Sequence, residues 1–299
     1  MNQITKTSCN RVLIGSYTHR VKYYCAEDWL KKVRELMQNF PDSEFVLVDN
    51  SDDKESPAWL RLKMDEIFGK NQQTMLWINT IGKTSRYKQV ESQKVLWDYA
   101  LDNGYEKLFI LESDVFPKDK FAIKKLYDAQ KQIVSGVYPL VTNKEDRSKD
   151  VLCIMGYGVN GELKRFWYHR FLWDRALKTV GKDKLIKVYA CGLGCIMIDR
   201  TVLEAIKPEF SQENVLKELR VVLKAARAMK TKSNLKKYLV TKIKGLVKST
   251  GICVVSKIHP DSNFHQACEL FGITRHILPE IECEHRRQEW KEIEKVVPR

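Results

Sequence analysis

The sequence predicts an α/β protein in which a mixed sheet is flanked by helices. Short apolar runs with the length of buried strands alternate with segments whose apolar residues recur at helical spacing. Strand, helix and strand in succession indicate a parallel βαβ unit, and this alternation continues to about residue 140. With 299 residues, the chain is long enough to bury a substantial core.

The first half of the chain contains five predicted strands. They cover residues 11–14, 44–48, 75–78, 108–111 and 133–138. Between them, apolar side chains repeat as on one face of a helix. The predicted helices cover residues 27–40, 58–68, 84–103 and 118–129. The small polar segment 15–18 is predicted to be a turn that admits a ligand close to the backbone.

After residue 140 the predicted strands become shorter. The Asn160-Gly161 pair is a strong hairpin signal between strands over residues 151–159 and 163–168. Gly192 and Gly194 interrupt the next strand, and glycine inside a strand often marks close approach of a ligand or another backbone. The remaining predicted elements are strands over 187–191 and 195–198, a helix over 199–206, a strand over 252–255, a helix over 263–271, a strand over 275–278 and a charged terminal helix.

A carboxylate pair follows the apolar run 108–111. Glu112 and Asp114 are separated by one residue, and on an extended segment such residues project to the same side. We therefore expect both carboxylates to converge on one cation, for which oxygen ligands favour Mg²⁺ or Mn²⁺. Because ligands of open α/β sheets bind beyond the carboxyl ends of the strands, a nucleoside diphosphate is the expected partner of that cation. The alternative interpretation is a polar turn that closes a buried strand.

The net charge of +14 is concentrated in one segment. Residues 215–248 contain eleven Lys and Arg against a single acid, Glu218, whereas the rest of the chain is nearly balanced. Two amphipathic helices are predicted there, each with an apolar stripe beside a basic one. Such a basic helical hairpin indicates a polyanionic partner, either nucleic acid or an anionic membrane surface. The alternative is a solvated hairpin with no partner.

The cysteines and the apolar runs bear on the cellular compartment. The eight cysteines include no CxxC pair, and the N-terminal apolar run is too short for a secretion signal. No segment approaches the length of a membrane span. We therefore expect a cytoplasmic protein with reduced thiols, without signal peptide or transmembrane span, in the host cytoplasm if it is phage-encoded.

The order of these features resembles the GT-A-type glycosyltransferases, nucleotide-sugar enzymes with a DXD motif, over about residues 11–210 and 251–285. The resemblance implies a Rossmann-like mixed sheet with the DXD-like element at the end of a central strand, where Glu112-Ser113-Asp114 fits. It also implies a single catalytic domain formed by residues 8–210 plus 251–285. Residues 211–250 would be a basic helical insertion and 286–299 a C-terminal helical tail.

The resemblance implies a donor site and a metal site. Asp114 would contact Mn²⁺ or Mg²⁺ directly, and His285 would close the metal site; an ordinary surface histidine is the alternative. Glu112, a departure from the motif's first Asp, would ligate the metal or reach the ribose or a ligated water. The implied donor-binding residues are Ser16, Tyr17, Asp49, Asn50, Arg86, Lys88 and Glu112.

The resemblance also implies an acceptor side. Asp261 matches the family's catalytic base, and as base it would give direct displacement with inversion. In a retaining mechanism Asp261 would have another role, and a helix cap is the further alternative. Trp167 and Tyr168 would line an acceptor groove unless they are core packing. The remaining predicted acceptor-binding residues are Gly192, Gly194, Lys224, Arg227, Lys236 and Lys237.

The predicted reaction moves a sugar from a nucleotide sugar, with a UDP-sugar expected, to a hydroxyl group. DNA is the favoured polyanion acceptor, through flipped hydroxymethylated pyrimidines as in phage DNA glycosyltransferases, because residues 215–248 lack the Trp and Phe anchors of interfacial helices. One alternative is a glycosyltransferase of envelope glycan or glycolipid synthesis at an anionic membrane. Another is a nucleotidyltransferase or a non-catalytic nucleic-acid-binding relative. No obligate protein partner is evident.

Overall fold

The structure is a computed structural model that describes residues 12–69, 73–141, 146–156, 166–206, 264–265, 267–269 and 271–286. The strands are β1 (Val12–Thr18), β2 (Ser43–Asp49), β3 (Gln73–Trp77), β4 (Lys107–Leu111), β5 (Val115–Pro117), β6 (Ile133–Val137), β7 (Pro139–Val141), β8 (Val151–Gly156), β9 (Phe166–His169), β10 (Ile186–Val188), β11 (Ala190–Cys191), β12 (Cys195–Asp199) and β13 (Arg275–His285). The helices are α1 (Ala26–Gln38), α2 (Glu55–Phe68), α3 (Ser85–Asp102), α4 (Ala122–Asp128), α5 (Arg170–Val180) and α6 (Arg200–Ala205), with 3₁₀ helices at Arg20–Cys25 and Arg147–Lys149.

The main sheet of the described chain has the strand order β10-β13-β6-β12-β4-β1-β2-β3. Strands β3, β2, β1 and β4 run parallel, as the βαβ pattern predicts, and β12 is antiparallel to both β4 and β6. Strand β5 adds to the end of β13. The predicted mixed sheet flanked by helices is confirmed.

A smaller antiparallel sheet lies beside the main one. It pairs β8 with β7, β9 and β11. The predicted pairing of the strands on either side of Asn160-Gly161 is thus observed for β8 and β9, while the turn itself lies outside the described residues. The predicted strand over 187–191 is divided, with β10 in the main sheet and β11 in the smaller one.

The main sheet is buried on both faces. Successive strand residues point to opposite sides of the sheet, so each strand contributes apolar side chains to both layers. On β4, Leu108 and Ile110 pack on the face that contains Trp97 of α3, whereas Phe109 and Leu111 pack on the face that contains Trp29 of α1. Each face therefore has its own apolar layer. The unbroken apolar run of β4 is the pattern expected of a strand covered on both sides.

Three further predicted elements differ from the structure. Residues 15–18 are not a turn but the second half of β1, because β2 pairs with β1 through Thr18 opposite Asp49. Helix α4 begins at Ala122 instead of residue 118. The strand predicted over 275–278 continues to His285. The basic hairpin, the strand over 252–255 and the terminal helix lie outside the described residues.

None of the helices within the described ranges combines the length and the apolarity that crossing a membrane requires.

Candidate metal and nucleotide site

The two predicted metal carboxylates lie on a tight turn between β4 and β5. The Val115 backbone N–H donates to the Glu112 carbonyl at 3.0 Å, and the Glu112 N–H donates to the Gly194 carbonyl at 3.0 Å. The sequence pattern predicted an extended segment over residues 112–114, but the structure has a turn there. The carboxylates of Glu112 and Asp114 converge because the turn folds back on itself.

His285 reaches this turn through the course of β13. The strand runs parallel to β6, its register shifts between Ile277 and Glu282, and it then pairs with β5 so that His285 lies opposite Val115. The Arg286 N–H donates to the Asp114 carbonyl at 2.9 Å and holds the strand against the turn. Two distant segments of the chain thereby meet at Asp114.

Glu112, Asp114 and His285 form a set that fits a divalent cation. Each offers one ligand atom, and these atoms lie within 4.8 Å of one another. Two ligands on opposite sides of a Mg²⁺ ion are about 4 Å apart, so a small contraction would complete the geometry. The three side chains come from a turn and a strand that are anchored by backbone hydrogen bonds.

The hydrogen bonds of His285 indicate which ring nitrogen would face a cation. Its Nδ1 lies 2.9 Å from the Pro139 carbonyl, which can only accept, so Nδ1 carries the proton. The other nitrogen, Nε2, faces Asp114 Oδ2 at 3.6 Å. In this tautomer the Nε2 lone pair is directed to the side on which a cation bound to Asp114 would lie.

Lys22 supplies the other close charge at Asp114. Its Nζ lies 3.0 Å from Asp114 Oδ1, and the aspartate side chain is only 8% exposed. Burial alone would raise the pKa of the Asp114 carboxyl, but Lys22 and His285 outweigh it and lower that pKa to about 2. Asp114 is therefore ionised and ready to bind a cation throughout the physiological range.

Tyr17 orients the other carboxylate. Its hydroxyl donates to Glu112 Oε1 at 2.8 Å and accepts from Gln89 Nε2 at 3.1 Å. The tyrosine ring is buried at the carboxyl half of β1, next to β4. Its hydroxyl thus fixes the direction in which Glu112 points, as outer-shell partners of metal ligands do.

A cleft of about 620 Å³ opens above this set, a volume typical of small-ligand sites. At its other end Lys88 pairs with Asp52, and His19 Nε2 lies 3.3 Å from Asp52 Oδ2. His19 Nδ1 accepts from the Val21 N–H, so its ring proton is on Nε2 and points at Asp52. The lining residues are Tyr17, Thr18, His19, Val21, Lys22, Asn50, Asp52, Lys83, Ser85, Lys88, Gln89, Glu112, Asp114, Tyr138, Leu140, Cys153 and His285.

The structure brings some of the predicted donor residues to the cleft and leaves others away from it. Tyr17, Asn50, Lys88 and Glu112 line it. Asp49, predicted for the ribose, is fully buried below the cleft, where its carboxylate accepts from the Tyr23 hydroxyl and the Ser51 N–H. Ser16 is also fully buried and does not line the cleft. The backbone of Arg86 belongs to the first turn of α3, and its side chain is outside the described part of the chain.

On the predicted acceptor side, the structure assigns the two glycines a different role. A β-carbon on Gly192 would lie 1.8 Å from the Tyr138 hydroxyl, and one on Gly194 would lie 2.9 Å from it. The glycines therefore make room for Tyr138. Tyr168 packs its ring edge-on against the buried Trp173 at 5.4 Å, and Trp167 lies in β9 opposite Met155.

Five predicted site residues lie outside the described residues. They are Asp261, Lys224, Arg227, Lys236 and Lys237.

Sequence reasoning missed much of the cleft lining, including His19, Lys22, Asp52 and Tyr138. A signal existed for Asp52, which belongs to the acidic run that follows β2. No local pattern distinguishes Lys22 from the many other lysines. Its role depends on the 3₁₀ helix that turns it back over the end of β1.

No family model matches the chain, and no curated protein matches it. Among solved structures, the chain is similar to the crystal structure of A197 from STIV, with a TM-score of 0.41 and 14% identity over 93% of this chain and 86% of that chain. A TM-score this low does not establish a shared fold.

Proposed function

We propose that this protein is a metal-dependent glycosyltransferase of the GT-A type that transfers a sugar from a nucleoside diphosphate sugar, preferably a UDP-sugar, to a hydroxyl acceptor. The observation that carries this proposal is the convergence of Glu112, Asp114 and His285 at the floor of the 620 Å³ cleft. The turn with both carboxylates follows β4, a central strand, where the DXD-like element of the family is expected.

A divalent cation held by this set would neutralise the charge that develops on the leaving diphosphate. The chain's own residues prepare the site for it. Tyr17 orients Glu112, and the Pro139 carbonyl fixes the His285 tautomer so that Nε2 is available as a ligand. Lys22 contributes a fixed positive charge next to the place where phosphate oxygens would lie.

The opposite end of the cleft suits a nucleoside. Asp52 offers carboxylate oxygens that accept from the imide or amino groups of a base, and Lys88 and His19 hold it in place. Asn50 is fixed by donating from Nδ2 to the Ser92 hydroxyl at 2.9 Å. These contacts support a nucleotide donor that runs from Asp52 to Asp114.

A second cleft of about 830 Å³ borders His285 on its other side and supports an acceptor site beside the donor. Its charged lining is balanced between Lys118, Arg170, Lys178 and Lys182 on one hand and four carboxylates on the other. This balance suits a hydroxyl-rich acceptor. Our proposal of DNA as acceptor rests instead on the basic segment 215–248, and the proposal of Asp261 as base rests on the resemblance.

The first experiment measures hydrolysis of UDP- and GDP-sugars with Mn²⁺, with and without DNA that contains hydroxymethylcytosine. We expect release of the nucleoside diphosphate, stimulated by the modified DNA. Asp114→Asn should lower the rate by about a hundredfold or more, whereas the surface variant Asp128→Asn should not change it.

The same assay distinguishes the other candidates. If anionic vesicles stimulate donor hydrolysis and DNA does not, the basic segment 215–248 binds a membrane surface instead of DNA. Release of pyrophosphate from a nucleoside triphosphate would indicate a nucleotidyltransferase. A protein that binds DNA but hydrolyses no donor would contradict the proposed activity.

A further inference from the structure

Lys22 forms an ion pair with one of the two carboxylate oxygens of Asp114, the central residue of the proposed metal site. Its ammonium lies 3.0 Å from Asp114 Oδ1, and its side chain is 29% exposed toward the cleft. The 3₁₀ helix Arg20–Cys25 that carries it follows β1 directly, so the lysine is held over the site by the fold. The Lys22 ammonium therefore already lies against the metal set, the group formed by Glu112, Asp114 and His285.

This ammonium weakens the site for a metal ion in the absence of other ligands. Glu112 and Asp114 contribute two negative charges, and Lys22 cancels one of them. A divalent ion approaching the free protein would meet a repelling charge and find Oδ1 of Asp114 in use. The site therefore lacks the charge that tight binding of a dication requires.

A diphosphate changes this balance. It brings at least two negative charges to the cleft and offers oxygens to which an ammonium binds well. The other cleft lysines are placed differently, since Lys88 pairs with Asp52 and Lys83 lies over the Tyr87 ring at 5.5 Å. Among these described lysines of the cleft, Lys22 is the one in direct contact with Asp114.

Building on the proposed function, we propose that Lys22 is an internal counter-cation that makes metal binding depend on the nucleotide. Without the donor it holds Asp114. When a nucleoside diphosphate binds, the Lys22 ammonium passes from Asp114 Oδ1 to the diphosphate and leaves this oxygen open to the metal ion. Mn²⁺ and the nucleotide are therefore positively coupled, each raising the affinity for the other by the same factor.

Calorimetric titration of Mn²⁺ into the protein, alone and with saturating UDP or GDP, tests this proposal. For the natural sequence we expect weak binding alone and an affinity at least about tenfold higher with nucleotide. In Lys22→Met, Mn²⁺ should bind the nucleotide-free protein more tightly, and the coupling should fall at least about threefold below that of the natural sequence; the part that remains comes from direct contact between the cation and the diphosphate. Lys22→Arg keeps the charge and should keep the coupling.

The matched control is Lys83→Met, which removes a positive charge from the same cleft but leaves the Lys22–Asp114 pair intact. It should retain the coupling of the natural sequence. Unchanged Mn²⁺ affinity and coupling in a folded Lys22→Met variant, with Lys22→Gln as a second test, would overturn the role of Lys22 and leave the glycosyltransferase proposal standing. Absence of both Mn²⁺ and nucleotide binding in the natural sequence would overturn the two proposals together.

Discussion

The Tyr138 hydroxyl accepts a 2.9 Å hydrogen bond from the backbone N–H of Gly194 and lies where a side chain on Gly192 would begin. The Tyr138 ring then meets the His285 imidazole edge-on at 5.6 Å between centroids. Two glycines of one strand-like segment thus support a histidine from the far end of the chain. By leaving space for Tyr138, the two glycines allow its ring to pack against His285 at the proposed metal site.

Gly192→Ala should destabilise the protein by about 1–3 kcal/mol, because its β-carbon would overlap the Tyr138 hydroxyl and force the ring to move. Urea denaturation measures this effect. The control is the same substitution in a Tyr138→Ala background, where the overlap with the hydroxyl is gone and the additional loss should be at least about 1 kcal/mol smaller; the remainder comes from the Cys153 Sγ, which would lie 2.8 Å from the new β-carbon. Equal losses in both backgrounds would contradict the packing role of Gly192.

Tyr17→Phe should weaken Mn²⁺ binding in the presence of nucleotide by about tenfold or more, because Glu112 loses the hydrogen bond that orients it. We also expect a stability loss of about 1 kcal/mol. Tyr105→Phe is a matched control, since Tyr105 is buried and donates to Glu44 away from the cleft. It should lose similar stability and keep its Mn²⁺ affinity; parallel losses of affinity would argue against a specific role of Tyr17.

Protonation of Asp114 at acid pH should lower the free energy of unfolding. Its pKa is lowered from 3.8 to about 2 in the folded protein, so its stabilising contribution is complete above about pH 4 and disappears as the pH falls through 2. The size expected from this shift is about 2 kcal/mol. Urea denaturation of metal-free protein between pH 6 and pH 2 should show this loss in the natural sequence but not in Asp114→Asn. Identical pH profiles would be inconsistent with the Lys22–Asp114–His285 contacts.

Asp199 should matter through two separate contacts. One oxygen caps α6 by accepting from the Thr201 N–H at 3.0 Å, and the other lies 3.0 Å from Nζ of the buried Lys107. Asp199→Ala should cost about 3–5 kcal/mol because the cap is lost and a buried ammonium is left without its partner. Asp199→Asn keeps a capping oxygen and should cost less. Adding Lys107→Met to Asp199→Asn should recover much of the loss, as thermal and urea denaturation would show.

The sequence alone predicted the elements whose signal is local. The apolar run that became β4 and the helical spacing of α1 and α3 were sufficient, because burial of a strand or of one helix face depends on neighbouring residues. It also placed Glu112 and Asp114 at the carboxyl end of a strand. The polar half of β1 was missed because Ser16 and Thr18 are small and polar, yet β1 is flanked by β2 and β4.

The functional groups of the site were therefore visible in the sequence: two carboxylates after a central strand, polar residues at strand ends and a basic segment. Which of these groups meet depends on the tertiary structure. His285 reaches Asp114 through a register shift in β13, Lys22 reaches it from a 3₁₀ helix, and Tyr138 takes the space beside Gly192. Each of these contacts joins residues that are far apart in the chain, and a local pattern carries no information about strand pairing of that kind.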